Sequence, residues 1–296
     1  MAELSDVRIL IRGGGELGSA VAAHLARQGA GRILLVEGPF PKAVRRNVCF
    51  SEAVFEHAKT VEGVTARFVM LLSEIDRMHE MGDLAITTQA LPEVLAAWPP
   101  DVYVEAAMLR SNWGLSRELA PIVIALGPGF QAGKDCHAVV ETTRGPRLGR
   151  VLSGGHSLAA APPAEIMGYS QERVIKAQRA GVFRTAHRIG DRVEQGEKIG
   201  VLVLLFERAD LYRGVPVDCE YPVVARIGGV IRGLLRDGVP VVAGDKIGDI
   251  DPRGLTEDLE HLSDKAVRVA EGVHEAIVLN LGRLPADRRN GVAPAS

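Results

Sequence analysis

Cysteine is nearly missing from this sequence: Cys49, Cys136 and Cys219 are the whole complement, and no two stand close together. That spacing excludes a disulfide framework and a zinc ribbon, and it fits a reducing compartment, so the cytoplasm is the expected location. Aromatic residues make up only 4%, too few for stacking platforms along single-stranded nucleic acid. A formal net charge of −2 provides no basic footprint for nucleic-acid phosphates. Long apolar runs are missing too. The strongest, VLVLLF at Val201–Phe206, is far short of a membrane span, so no membrane partner is expected. The start, MAELSDVR, lacks the basic and apolar regions of a signal peptide. No H-x-x-x-H, H-E-x-x-H or C-x-x-C occurs, so no protein-held metal is expected.

What is present is an ordinary globular composition, 47% apolar over 296 residues, with room for two or three domains. Near the start, IRGGGELGSAVAAHL (Ile11–Leu25) carries Gly13, Gly15 and Gly18 in the spacing G-x-G-x-x-G. The motif alone is weak, but its context is not. VRILI before it reads as a buried parallel strand. Leu17, Val21 and Leu25 after it mark one helix face, Gly29 suits the C-cap, and RILLVE reads as a second strand ending in Glu37. Strand, glycine loop, helix, strand and a terminal acid form the arrangement that takes a dinucleotide, with pyrophosphate at the helix N-terminus and the acid on a ribose. A Cβ at Gly15 is expected to block that approach, and Glu37 is expected to favour NAD over NADP. Arg12, Arg45 and Arg46 are further candidates for phosphate contacts; a solvated basic turn is the plainer reading of the Arg45–Arg46 pair.

A second strand-then-loop unit follows in IVIALGPGFQAGKDCHAVVETTRG, where Gly127 and Gly129 could face another anionic group. Glu141 and Arg144 stand at the end of its second strand. Cys136 and His137 are adjacent and point to opposite faces if on a strand, which leaves a buried thiol beside a solvated histidine. The second half contains a repeat. Gly181–Gly200 and Gly229–Gly248 align without a gap, and ten of twenty positions are identical, so a duplicated structural unit is expected. Its pattern resembles the half-repeats of biotinyl and lipoyl carrier domains. Those domains carry their group on a lysine between the halves, and the stretch from Gly200 to Asp245 has none. No covalent biotin or lipoate is expected; the module would serve packing, docking or as a lid. Asp264–Leu281 has helical periodicity with Ser263 as N-cap, and the last residues read as a disordered tail.

The expected fold class is therefore α/β: a Rossmann-like N-terminal domain at 1–160, an all-β barrel-sandwich hybrid (biotinyl/lipoyl-like) domain at 170–252, and a C-terminal helix and tail at 253–296. In IRGGGELG, VEGPFPKAVRRNVCFSEAV, IALGPGFQAGKDCHAVVETTRG, GYSQERV, GGVIRGLLRDG and KIGDIDPRG, the chain resembles the YqeB-type accessory proteins of selenium-dependent molybdenum hydroxylase systems. That family is distantly similar to XdhC-type factors, which bind and hand on molybdenum cofactor. The resemblance implies a maturation factor that binds a nucleotide-containing ligand, such as molybdenum cofactor (molybdopterin), and a client hydroxylase. The sequence departs from the family pattern at Glu16, across Glu105–Trp113 and at Pro146. Two alternatives stand beside this reading: an NAD-dependent oxidoreductase, with His137 its best-placed acid/base, and a non-catalytic adaptor with a vestigial pocket.

Overall fold

The computed structural model describes residues 4–159, 163–204 and 220–286. The chain forms two compact units. The first comprises residues 1–41, 48–161 and 262–296, and the second residues 42–47 and 162–261.

In the first unit the elements run β1 (Arg8–Arg12), α1 (Glu16–Arg27), β2 (Arg32–Val36), α2 (Ala53–Glu56), β3 (Ala58–Val61), β4 (Val64–Phe68), α3 (Ile75–Glu80) and β5 (Leu84–Thr87). Then come α4 (Leu91–Ala97), β6 (Val102–Glu105), β7 (Ile122–Leu126), β8 (Gln131–Ala132), β9 (Ala138–Val140), β10 (Val151–Leu152), β11 (Gly155–His156) and α5 (Asp264–Asn280). One nine-stranded sheet has the order β10-β9-β7-β6-β1-β2-β5-β4-β3. Pairing is parallel from β9 through β4 and antiparallel at both edges, β10 on β9 and β3 on β4. Strands buried on both faces need continuous apolar runs, which RILIR, RILLV and IVIAL supply. Alternate residues feed two cores. Ile9, Ile11, Ile33, Leu35 and Ile124 pack with Val21 and Leu25 of α1 and Val269 and Val273 of α5. Leu10, Leu34, Tyr103 and Val123 pack with Ile75, Val94 and Trp98 on the other face. Each fully buried aliphatic side chain contributes about 1.5–3 kcal/mol.

α5 is the helix expected over Asp264–Leu281, and Ser263 caps it by accepting from Ala266 N–H at 3.3 Å. It belongs to the first unit. Its approach is close because Gly272 has no side chain: a Cβ there would fall on the Gly149 carbonyl and 2.9 Å from Val140 Cγ1. Gly272→Leu should therefore overpack this seam and lower stability by about 1–3 kcal/mol. A denaturant midpoint equal to wild type would refute that packing.

The second unit runs β12 (Val174–Lys176), β13 (Gly181–Arg184), β14 (Arg192–Val193), β15 (Lys198–Val203), β16 (Glu220–Val224), β17 (Gly229–Leu234), β18 (Pro240–Val241) and β19 (Lys246–Asp251). Two four-stranded antiparallel sheets form, β12-β19-β17-β14 and β16-β15-β13-β18. The repeat copies exchange partners: β13 of the first pairs with β18 of the second, and β14 with β17. Shared glycines fall at equivalent turns, with φ +101° and +83° at Gly190 and Gly238. These are left-handed values that favour glycine. The segment 205–219, which holds most of the stretch expected between the two halves, lies outside the described residues, as do Cys219 and the tail from 287.

The expected fold class requires correction. The architecture is a large mixed sheet with several small antiparallel sheets and a C-terminal helix, not a Rossmann-like domain joined to a barrel-sandwich hybrid. Helices cross between β1 and β2, β4 and β5, and β5 and β6, but none stands between β6 and β7 or between β7 and β9. The physical reason lies in the sequence of those connections. GPGFQAGKDCH is too rich in glycine and proline for a crossover helix. Antiparallel strands close both sheet edges, and β8 with β11 forms a separate two-stranded sheet.

Candidate functional site

The carboxyl ends of the parallel strands carry the candidate site. β1 runs into Gly13, whose φ of +101° turns the chain and whose N–H donates to Val36 O at 2.8 Å. A Cβ at Gly13 would meet Ala107 N at 3.0 Å, and one at Gly18 would fall on the Gly13 carbonyl. Both glycines are thus required by close packing. Gly15 differs: it is the N-cap of α1 with φ −69°, and a Cβ there would meet nothing within 4 Å. The positive φ that the motif demands is at Gly13, and Gly15 faces open space over the loop. Glu37, at the end of β2, accepts from Gly14 N–H at 2.7 Å and Gly38 N–H at 2.8 Å. An ionised carboxylate has about four lone-pair sites, so hydroxyl donors can still be accommodated. The Gly14 carbonyl accepts from Ser19 Oγ and from Ser51 N–H, each at 2.9 Å. Ser51 is fully buried beside the loop, yet its hydroxyl has no hydrogen-bond partner among the described residues.

Next to the loop, β6 ends in Glu105, fully buried. Its carboxylate accepts from Arg12 Nη1 at 3.1 Å, Tyr103 Oη at 3.2 Å and Ala107 N–H at 3.1 Å. Burial pushes the Glu105 carboxyl above its usual range, with Arg12 opposing. Burial, then the Glu105 charge, pushes the Tyr103 phenol up. Arg12 is held above its usual value because Glu105 outweighs the lowering by burial. Arg12 is therefore committed to a buried carboxylate while its side chain stays 36% exposed. Sequence reasoning overlooked Glu105 as a site group. The available signal was an acid ending an all-apolar strand, VYVE, as Glu141 follows AVV.

The second loop interlocks with the turn after β6. Gly127 has φ +83° and abuts Met108, itself at φ +55°, while a Cβ at Gly129 would fall on the Leu109 carbonyl. Both glycines therefore serve close approach within the chain. Glu141, also fully buried, accepts from Thr143 N–H at 2.8 Å and Leu158 N–H at 2.7 Å. Ser157, 8% exposed, has a buried hydroxyl with no partner among the described residues. Arg144 forms a two-pronged pair with Asp264, at 2.9 and 3.0 Å, and Ser263 N–H donates to Glu16 Oε1 at 3.1 Å. The N-termini of α1 and α5 are thus joined. An open concavity of about 700 Å³ lies alongside, lined by Pro146, Leu148, Leu262, Asp264, Val267 and Arg268 among others.

Other candidates are not brought to this crest. Arg45 is buried in the second unit and donates to Asp258 O at 3.0 Å and His261 O at 2.8 Å. Arg46 donates to Leu234 O at 2.7 Å. Both guanidiniums hold backbone carbonyls there. Cys136 and His137 precede β9 and lie by the amino end of β7, since His137 N–H donates to Val123 O at 2.8 Å. His137 Nδ1 accepts from Val123 N–H at 2.9 Å. Burial pushes the Cys136 thiol up to about 12, and burial lowers His137 to about 4. Among the described residues no group of three or more His, Cys, Asp or Glu could hold a metal ion, and no helix is long and apolar enough to cross a membrane.

No family model matches the chain. Uncharacterized protein YqeB of Escherichia coli K12 is 39% identical over 272 residues, which cover 92% of this chain and 47% of that protein. The chain thus spans about half the length of the curated relative it matches. Among solved structures, a succinylglutamatedesuccinylase/aspartoacylase from Rhodobacter sphaeroides aligns with TM-score 0.25 and 14% identity, covering 82% of this chain and 84% of that one. An aspartoacylase family protein from Mesorhizobium loti aligns with TM-score 0.26 and 11% identity, covering 83% and 85%. TcdA of E. coli, a tRNA N6-threonylcarbamoyladenosine dehydratase solved with ATP, aligns with TM-score 0.26 and 18% identity over 44% of this chain and 54% of its own. At such TM-scores neither ligand nor activity carries over. Over nearly all of its own length, this chain is similar in sequence to YqeB.

Proposed function

We propose that this chain is an accessory factor in the maturation of a molybdenum hydroxylase, and that it binds a nucleotide-containing ligand, such as molybdenum cofactor, over the Gly13–Gly15 loop. The observation that carries the binding half is the loop itself. Gly13 and Gly18 pack where a Cβ would fill the turn, Gly15 leaves open space at the N-terminus of α1, and the orphaned Ser51 hydroxyl borders it. Those features fit a pyrophosphate, which needs close backbone approach and first-turn N–H donors. Glu37 lies beside the loop, holding the Gly14 and Gly38 N–H groups, and would accept ribose hydroxyls in this reading. The maturation half rests on the resemblance to YqeB-type proteins and their systems. An NAD-dependent oxidoreductase is less well supported. His137 sits at the amino ends of the strands, and burial holds it neutral near pH 7, whereas catalytic acid/base work favours a value close to the operating pH.

Deleting the chain in its native host should leave the client hydroxylase expressed but cofactor-poor. The purified hydroxylase should then show reduced molybdenum content or lack a sulfur or selenium ligand. Unchanged client loading, together with steady NAD reduction by the pure protein on some metabolite, would overturn the proposal in favour of the oxidoreductase.

A further inference from the structure

The second unit holds an unbalanced group of charges on the sheet β12-β19-β17-β14. Asp249 of β19 is 7% exposed, and its carboxylate accepts no hydrogen bond among the described residues. Three cations stand around it: Lys246 Nζ at 3.5 Å, Arg173 Nη2 at 3.7 Å and Arg232 Nη1 at 3.9 Å. All lie beyond the range of an N–H···O hydrogen bond, about 2.7–3.2 Å. The acids on either side in the chain are already engaged, Asp251 by Arg253 at 2.6 Å and Asp245 by Lys42 at 2.7 Å. Arg173 is engaged as well: its Nε donates to Ile250 O at 3.2 Å and its Nη1 to Ala164 O at 3.0 Å. Arg232 is not. Its half-buried guanidinium makes no hydrogen bond among the described residues, and its Nε is buried without a partner there. Lys246 likewise donates no side-chain hydrogen bond among them.

The internal repeat shows why Arg232 is left over. Its counterpart in the first copy, Arg184, donates from Nε to Asp237 Oδ1 of the second copy at 3.0 Å. Gly181 matches Gly229, so Asp237 matches Ile189. The equivalent contact would join Arg232 to Ile189, whose side chain has no acceptor. Lys198 and Lys246 also correspond, but one residue past the aligned stretch the second copy has Asp249 where the first has Val201. Only the second copy therefore combines an unheld guanidinium, an ammonium and a buried carboxylate. Cations outnumber the carboxylate, and both kinds of group have hydrogen-bonding capacity to spare. A ligand that completes them must accept from the cations and donate to the acid.

We propose that Arg232, Lys246 and Asp249 form a subsite for a phosphoryl group that carries a proton. Arg232 and Lys246 donate to its oxygens. Asp249 accepts its P–OH and repels an oxyanion that has no proton to give, such as sulfate. The site lies within the second unit and is independent of the glycine loop. The test is calorimetric titration of the full chain at pH 6, where about half of a phosphate monoester is protonated. The probes are glycerol 2-phosphate, inorganic phosphate and sulfate. Wild type should bind one of the two phosphates at least about tenfold more tightly than sulfate, and the tighter of them assigns the group to an ester or to free phosphate. Gly15→Leu, which fills the space over the glycine loop, should bind it equally well. Arg232→Met and Lys246→Met should each lose about tenfold or more, as expected for a lost charge-assisted hydrogen bond. Lys198→Met, the counterpart in the first copy, should match wild type. Asp249→Asn should erase the preference over sulfate. Sulfate bound by wild type as tightly as phosphate, or no phosphate bound at all, would overturn the proposal, and neither result depends on a variant folding. Phosphate affinity unchanged in Arg232→Met, or abolished in Gly15→Leu, would overturn it too.

Discussion

Glu105→Ala should destabilise the chain by about 3 kcal/mol or more, because it strands the Tyr103 hydroxyl and the Ala107 N–H in the interior, each worth about 1–3 kcal/mol when unsatisfied. Both groups donate to this one carboxylate. Arg12 also loses its partner, but at 36% exposure its guanidinium can turn to water. Glu105→Gln keeps an acceptor for two of the three donors and should recover a large part of the loss. The pH dependence has a definite sign. The native carboxyl titrates above its unfolded value, so the folded state binds the proton more tightly. That contribution is fully present below the ordinary carboxylate range and is lost as pH rises through the native value. Glu105→Gln should remove this component, flattening the decline in stability across that window. Denaturant unfolding from pH 3 to 8 on the three proteins measures both effects. A Glu105→Ala midpoint within error of wild type would show that the carboxylate holds nothing.

The start of this fold is legible in the sequence because its determinants are local. The centres of RILIR and RILLV, Ile9–Ile11 and Ile33–Val36, are unbroken apolar runs, as a strand buried on both faces requires. The glycine triplet between them leads into a helix whose apolar positions recur every four residues. Ser263 and the periodicity that follows mark α5 with equal clarity. Legibility ends where placement depends on distant chain. The doubly wound pattern of the first strands invites extension across the whole unit. After Glu105, however, the connections carry glycine and proline in place of helical periodicity, and the sheet closes with antiparallel edges. Arg45 and Arg46 look like phosphate ligands beside the second strand. Residues 42–47 instead belong to the other unit, where carbonyls of residues 234, 258 and 261 receive the two guanidiniums. Nothing within a few residues of the pair signals that destination. Ser51 and Ser157 are equally mute in sequence, since an orphaned hydroxyl is defined by what folds around it.

The glycines of the loop divide into those the fold needs and the one a ligand would need. Gly18→Ala drives a methyl into the Gly13 carbonyl, so any loss of binding in that variant is inseparable from damage to the fold. Gly15 is separable. Its φ of −69° is open to any L residue, and its would-be Cβ has no neighbour within 4 Å. Exchanging an N-cap glycine for an apolar residue costs about 1 kcal/mol or less. Gly15→Leu should fold, keep an unfolding midpoint close to wild type, and fill the space over the N-terminus of α1 with a side chain. Calorimetric titration of NAD, NADP, CTP and molybdopterin dinucleotide into wild type and Gly15→Leu is therefore the most direct test of a nucleotide site at this loop. Wild type should bind at least one of them, with NAD ahead of NADP because the Glu37 carboxylate repels a 2′-phosphate, and folded Gly15→Leu should bind none. A wild type that binds no nucleotide, or a folded Gly15→Leu that binds as tightly as wild type, would contradict it.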